Sequence, residues 1–243
     1  MAAPLRASRQ RRTIDEVPFW YHSIDLGGGL VTPGLKSPES MQAHLSALQL
    51  PDLADKTVLD VGAWDGFFSF EAERRGARRV VALDAYEWAG TPPGWEGRRE
   101  QLPPKWLGFE VAHDLLGSSV ECVVADFTTT HPADLGRFDV VIFSGVLYHL
   151  QDPLGALRRL ARVAREVALV ETAAIHAGVL EDRALCEFYE AGELNGDPTN
   201  WWAPNGTALA AMCRAAGFGR VELLDYPPAA PTPQYRLVAH AFA

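Results

Sequence analysis

Residues 57–84, TVLDVGAWDGFFSFEAERRGARRVVALD, constrain the fold more than any other stretch. A short apolar run (Val58, Leu59, Val61) carries an acid at Asp60 and breaks at Gly62. The chain turns through Ala63-Trp64-Asp65-Gly66, then opens a helix-period segment with Phe67, Phe68 and Phe70 among its apolar positions. A second apolar run, Arg79-Val80-Val81-Ala82-Leu83, ends in Asp84. Strand, glycine turn, helix, strand, acid is the first half of a nucleoside-binding α/β unit. The final acid stands 24 residues beyond Asp60, where a ribose diol needs an acceptor.

The glycine pattern narrows the ligand. In a dinucleotide site the middle glycine of G-x-G-x-x-G admits a pyrophosphate against the backbone. Trp64 occupies that place here, with glycine only at 62 and 66, and no Lys-Ser or Lys-Thr pair follows to make a P-loop. A nucleoside without phosphate, carrying an amino-acid-like tail near Asp60, is what remains. S-adenosylmethionine fits that description.

Strand–helix alternation continues. Residues 104–116 read as a helix, Val120–Asp126 as a buried strand ending in an acid, and Phe138–Ser144 as a fourth strand followed by the loop 145–151. An amphipathic helix follows at Asp152–Arg165, with Pro153 suited to its first turn. Val167–Thr172 is a fifth strand. The pattern loosens over about 174–205 around an Asn195-Gly196-Asp197-Pro198 turn. A helix at Gly206–Ala216 and strands at Arg220–Tyr226 and Gln234–Phe242, joined by PPAAPTP, complete the chain. The expectation is an α/β, Rossmann-like, doubly wound sheet of seven mostly parallel strands with an antiparallel C-terminal edge pair. Residues 1–54 are expected to be a tail and lid or cap segment, and 55–243 the main domain with its insertion.

The net charge of −9 works against a nucleic-acid partner, which is usually met by a basic footprint. The arginines of residues 1–12 are read as a solvated, mobile tail. No apolar run approaches the ~20 residues of a membrane span, and no signal-peptide h-region opens the chain. Cys122, Cys186 and Cys213 stand in no metal or redox spacing, which points to buried thiols, a reducing cytoplasmic compartment and no metal site.

Asp60-Val61-Gly62-Ala63-Trp64-Asp65-Gly66, the strand-end Asp84, Asp126-Phe127 and Phe143–Leu150 (FSGVLYHL) together resemble the class I S-adenosylmethionine-dependent methyltransferases over roughly residues 55–243. A closer likeness, carried by Trp20-Tyr21-His22, Thr32-Pro33-Gly34, Gly145–His149, Val170-Glu171-Thr172 and Trp202–Asn205, is to the branch of the tRNA wobble-uridine carboxymethyltransferases and related bacterial methyltransferases. In the tRNA enzymes an upstream lysine reads the carboxyl of a modified cofactor. Lys36 and Lys56 lie in different sequence contexts from that lysine. Ordinary S-adenosylmethionine and a small-molecule acceptor, as in secondary metabolism, are therefore expected, with tRNA base modification and a non-catalytic cofactor-binding module as alternatives.

The resemblance implies that Asp60, Gly62 and the backbone of Ala63, Trp64 and Gly66 hold the methionine end of the cofactor. Asp84, with Ala85, is expected at the ribose hydroxyls, Asp126 and Phe127 at the adenine, and Ser144 and Gly145 at the ammonium group. Phe67 and Phe68 are pocket wall or core. A hydroxyl or ammonium acceptor needs a base. His149 leads the candidates because an unperturbed imidazole titrates near ~6.5, and Glu171 is second. Tyr148 would shape the acceptor pocket, and His149 and Glu171 each have a purely structural alternative. Trp20, Tyr21, His22, Tyr189, Trp201 and Trp202 are read as lid elements that exclude water, or as a structural cover.

Overall fold

A computed structural model describes residues 12–85, 106–225 and 234–243. The arginines before Arg12, the Arg98-Arg99 pair and the proline-rich link at 227–233 lie outside the described residues. Seven strands form the central sheet: β1 (Thr57–Val61), β2 (Arg79–Asp84), β3 (Glu121–Val124), β4 (Phe138–Ser144), β5 (Ala164–Ile175), β8 (Arg220–Asp225) and β9 (Gln234–Phe242). Their order is β3-β2-β1-β4-β5-β9-β8. The first five run parallel; β9 pairs antiparallel with both β5 and β8. The expected edge pair is present, with β9 inserted between β5 and the edge strand β8.

Alternation along the strands sorts side chains onto two faces. Val58, Val80, Ala82, Val140, Ile142 and Leu169 meet α1 (Pro38–Leu48), α2 (Phe67–Arg74) and α3 (Leu107–Leu116). Leu59, Val81, Leu83, Val141, Phe143 and Val170 meet α5 (Pro153–Val163) and α6 (Gly206–Ala216). The inner strands β1, β2, β4 and β5 are largely apolar on both faces because both faces are covered, as parallel sheets require. The strand expected to be buried at Val120–Asp126 is the shorter β3, largely exposed because it is the sheet edge. α4 (Pro132–Leu135) is a single turn before β4.

Four features add to or differ from the expectations. Helix α1 lies where a tail and cap segment was expected: the Ser37 side chain caps Ser40 N–H, Pro38 takes the first position, and Met41, Leu45 and Leu48 enter the core. The insertion carries a two-stranded antiparallel ribbon, β6 (Cys186–Phe188) with β7 (Trp202–Pro204). Of the cysteines, Cys213 is buried but Cys122 and Cys186 are exposed, because β3 sits at the sheet edge and β6 on the surface of the insertion. Arg12 is docked rather than loose, within 3.2 Å of Glu16 and 3.6 Å of Asp114. Among the described residues no helix is long and apolar enough to cross a membrane.

Leu157 on α5 is fully buried in the second core. Leu157→Ala should lower unfolding free energy by about 2–5 kcal/mol, read from urea midpoints.

Candidate active site

Gly62, Trp64 and Gly66 all adopt the left-handed region, at φ +76°, +51° and +90°. At Gly62 a Cβ would also lie 2.5 Å from Val146 Cγ2, so this position admits no side chain. Trp64 tolerates its strained backbone because its N–H donates to Asp84 Oδ2 at 3.0 Å. The turn therefore closes over the end of β1 and reaches the end of β2.

Beside it opens a cavity of about 420 Å³, within the usual range for a small-ligand site. The ends of β1, β2 and β3 supply Gly62, Asp84, Ala85, Asp126 and Phe127; the loop after β4 supplies Val146 and His149; the insertion supplies Thr199 and Trp201. This is the carboxyl edge of the sheet at the switch between β1 and β4, where open α/β sheets bind ligands. Asp84 is buried at its floor, and the buried Phe127 forms part of the wall. Asp126 spends Oδ1 on the N–H and hydroxyl of Thr128, both at 2.7 Å, and its exposed carboxylate stands at the rim. A buried carboxylate, an aromatic wall, a rim carboxylate and the side-chain-free Gly62 suit an adenosine without phosphate.

The other cofactor-binding expectations fall outside the lining of this cavity. Asp60 lies beneath the turn, buried and accepting from Ser69 Oγ at 2.6 Å; burial, opposed by that bond, raises its pKa to about 7. Ala63 and Gly66 close the turn through a hydrogen bond to each other. The Trp64 ring stacks on Tyr21 at 4.9 Å. Phe68 is core, and Phe67 packs against it. Ser144 and Gly145 belong to a second cluster.

That cluster centres on Glu171, which is completely buried. Its Oε2 accepts from Arg236 at 2.7 Å and Ser144 Oγ at 3.0 Å, Arg236 Nε donates to Oε1, and His44 Nε2 is 3.6 Å away. Burial alone would raise the Glu171 pKa, but the Arg236 charge, helped by His44, holds it well below the usual carboxylate range. Both oxygens are engaged and the proton affinity is low, so the candidate base Glu171 is an ionised anchor for Arg236. The Arg236 guanidinium lies 4.8 Å over the Tyr148 ring, and a Cβ built on Gly145 would be 3.8 Å from both Arg236 and the Tyr148 hydroxyl. Lys36 joins them: its Nζ lies 4.8 Å over the Tyr21 ring, and burial, then the Arg236 charge, lowers its pKa.

His149 lines the nucleoside cavity, and its Nδ1 lies 3.0 Å from Thr199 Oγ1 and 3.2 Å from the Thr199 carbonyl. Burial, opposed by the Thr199 contact, lowers its pKa to about 4. It is neutral at pH 7 and a weak proton acceptor, so the ~6.5 reference that recommended it as a base does not apply. Among the aromatic residues read as lid, Trp201 lines the cavity and Tyr21 stacks on the turn. Trp20 is a core anchor whose Nε1 donates to the Ile14 carbonyl, and Tyr189 is the core of the insertion. His22 is buried against Asp65, and Trp202 lies in β7 on the far side of Tyr148, where both line a smaller apolar cavity of about 170 Å³. The sequence reading passed over Arg236, Asp65 and the placement of Lys36. An arginine amid the apolar alternation of QYRLVAHAF was the one available signal.

Comparison with known proteins agrees with this geometry. The family model described as a methyltransferase domain matches residues 36–223. The chain is 28% identical over 186 residues to the tRNA U34 carboxymethyltransferase of Marinobacter nauticus, covering 74% of this chain and 48% of that protein. The Shewanella loihica enzyme of the same name is 28% identical over 190 residues, covering 77% and 49%. The chain thus spans about half the length of these curated relatives. Among solved structures, the N-terminal domain of EvdMO1, crystallised with S-adenosylhomocysteine and D-fucose, superposes with a TM-score of 0.65 at 20% identity, covering 95% of this chain and 94% of that one. A putative S-adenosylmethionine-dependent methyltransferase from Listeria monocytogenes gives 0.55 at 16% identity, covering 83% and 98%. At such identities these two establish the fold. The chain belongs to the methyltransferase domain family, and its seven-stranded sheet has the fold of these S-adenosylmethionine-dependent neighbours.

Two outcomes follow from the charges. Arg236→Ala leaves a buried carboxylate unpaired and should cost about 3–5 kcal/mol in urea unfolding. For His149 the folded pKa of about 4 lies below the unfolded value near ~6.5, so the unfolded chain binds more protons between those pH values. Its contribution to stability should rise with pH across that window, and His149→Gln should remove that part of the slope when unfolding is compared at pH 5 and pH 7.

Proposed function

We propose that the chain transfers a methyl group from S-adenosylmethionine to an oxygen or nitrogen of a small-molecule acceptor in the cytosol. The observation that carries this reading is the cavity of about 420 Å³ lined by Asp84, Asp126 and Phe127, with a separate aromatic and cationic cluster (Tyr21, Tyr148, Lys36, Arg236) beyond the turn. Asp84 would accept from the ribose hydroxyls, Asp126 and Phe127 would hold the adenine, and the Gly62 turn would pass the methionine tail. When bound, the sulfonium supplies an electrophilic methyl. The protein's part is orientation, because in-line placement at near-attack distance accounts for most of the acceleration such a reaction needs. Tyr21 and Trp201 would shield the site from water as a cap. Glu171 is tied to Arg236 and His149 is neutral with little proton affinity, so this reading assigns neither the proton-transfer role. Such a site suits an acceptor already nucleophilic at neutral pH. The net charge of −9 supports a small acceptor over a polyanion.

One observation favours a second reading, tRNA carboxymethylation. Lys36 lies in the charged cluster with Tyr148 and Arg236, a cation where the resemblance calls for an upstream lysine that reads a carboxylated cofactor. Turnover with S-adenosylmethionine against its carboxylated analogue separates the two.

For the cofactor assignment, calorimetric titration with S-adenosylhomocysteine should show binding that Asp84→Ala weakens about tenfold to hundredfold, the loss of charge-assisted hydrogen bonds. Unchanged affinity in that variant refutes the ribose role.

A further inference from the structure

Asp65 belongs to the cofactor turn yet lies outside the nucleoside cavity lining, and its carboxylate is buried. Oδ2 accepts the backbone N–H groups of Tyr21 at 3.0 Å and His22 at 2.9 Å, while Oδ1 meets His22 Nδ1. One side chain thus gathers three groups from a segment more than forty residues upstream. Ion-assisted hydrogen bonds of this kind are about twice as strong as neutral ones.

The segment it holds is internally closed. Ser23 N–H donates to the Lys36 carbonyl at 3.1 Å, Lys36 N–H to Tyr21 at 2.9 Å, and Leu35 N–H to Trp20 at 2.9 Å. Thr32 Oγ1 accepts from Ile24 N–H at 2.8 Å and donates to the His22 carbonyl at 2.7 Å. Gly34 packs so tightly on this crossing that a Cβ would fall 2.1 Å from the His22 carbonyl carbon. Residues 20–36 therefore form one loop, tied to the turn at Asp65. It carries Tyr21, stacked on Trp64, and Lys36, over Tyr21. The neighbouring Trp64 N–H reaches Asp84 at 3.0 Å.

We propose that Asp65 is a positioning residue: it fixes the register between the cofactor turn and the 20–36 loop, so that Tyr21 and Lys36 stand at the acceptor end of the site. The term acceptor end rests on the methyltransferase reading; the register does not. Asp65 touches neither cofactor nor acceptor and acts through the loop it holds.

The chain has three lysines, Lys36, Lys56 and Lys105, which makes Lys36 a selective reporter. The test is labelling with limiting acetic anhydride on the full chain, read by peptide mass spectrometry, with and without saturating S-adenosylhomocysteine. Lys56, paired with Glu166 far from the loop, serves as internal reference. Asp65→Ala should raise Lys36 labelling relative to Lys56 at least fivefold. Asp65→Asn, whose amide oxygen still accepts both N–H groups, should stay within twofold of wild type. S-adenosylhomocysteine should slow Lys36 labelling in wild type and Asp65→Asn but not in Asp65→Ala. In wild type, hydrogen exchange at the Tyr21 and His22 amides should be as slow as in β1, a result that does not require the alanine variant to fold. An unchanged Lys36 ratio in Asp65→Ala, an equal rise in Asp65→Asn, no protection by bound S-adenosylhomocysteine, or fast exchange at Tyr21 and His22 overturns the proposal. Calorimetry on the same wild-type sample keeps the two readings apart. If it shows no S-adenosylhomocysteine binding while the Lys36 and exchange results hold, the cofactor assignment falls and the Asp65 register stands.

Discussion

A carboxylate at the end of β2 holds the backbone turn that carries Trp64 between two glycines. Trp64 sits at φ +51°, a conformation costly for a bulky residue, and its N–H donates to Asp84. That bond draws the β1 turn toward the end of β2, where Asp84 also lines the cavity. The turn thereby has two sides. Gly62 faces the nucleoside space, while Trp64 and Asp65 face the upstream loop through Tyr21 and His22. One local geometry sets both the wall of the cavity and the surface against which the loop packs.

Charge is buried in two distinct ways around this turn. Glu171 and Arg236 enter the interior as a pair, with Ser144 and His44 completing the network, and such pairs persist only when the remaining hydrogen-bonding positions are filled. Asp60, in contrast, has no paired cation among the described residues: burial, opposed by Ser69 and added to by the Asp84 and Asp65 charges, raises its pKa to about 7. The pair keeps a cation beside Tyr148 at every working pH, so the cluster beyond the turn is electrostatically fixed. Asp60 is poised near neutrality and would respond to a cationic group bound above it.

Much of this was legible in the chain. Asp84 and Asp126 could be placed because parallel strands end in acids at regular intervals and Gly62 and Gly66 mark the turn between them. The two-face core followed from apolar runs such as FDVVIFS. What was hidden depends on contacts across long separations. Arg236 meets Glu171 across 65 residues, and His22 meets Asp65 across 43, distances over which periodicity carries no information. Ser37-Pro38 announces the start of helix α1, but what distinguishes it from a cap is the packing of Met41, Leu45 and Leu48 into a core built from strands far along the chain. The choice between base and structural role for His149 and Glu171 was not legible for a different reason. Residue type fixes a reference pKa, whereas burial beside Thr199 or Arg236 fixes the actual one.

The account stands or falls on where the adenosine sits. A crystal structure of the protein grown with S-adenosylhomocysteine tests that directly. The ribose hydroxyls should lie within hydrogen-bonding distance of the Asp84 carboxylate, the adenine against Phe127, with Trp64 N–H still bonded to Asp84. A ligand bound elsewhere, or an Asp84 side chain turned away from the sugar, contradicts it.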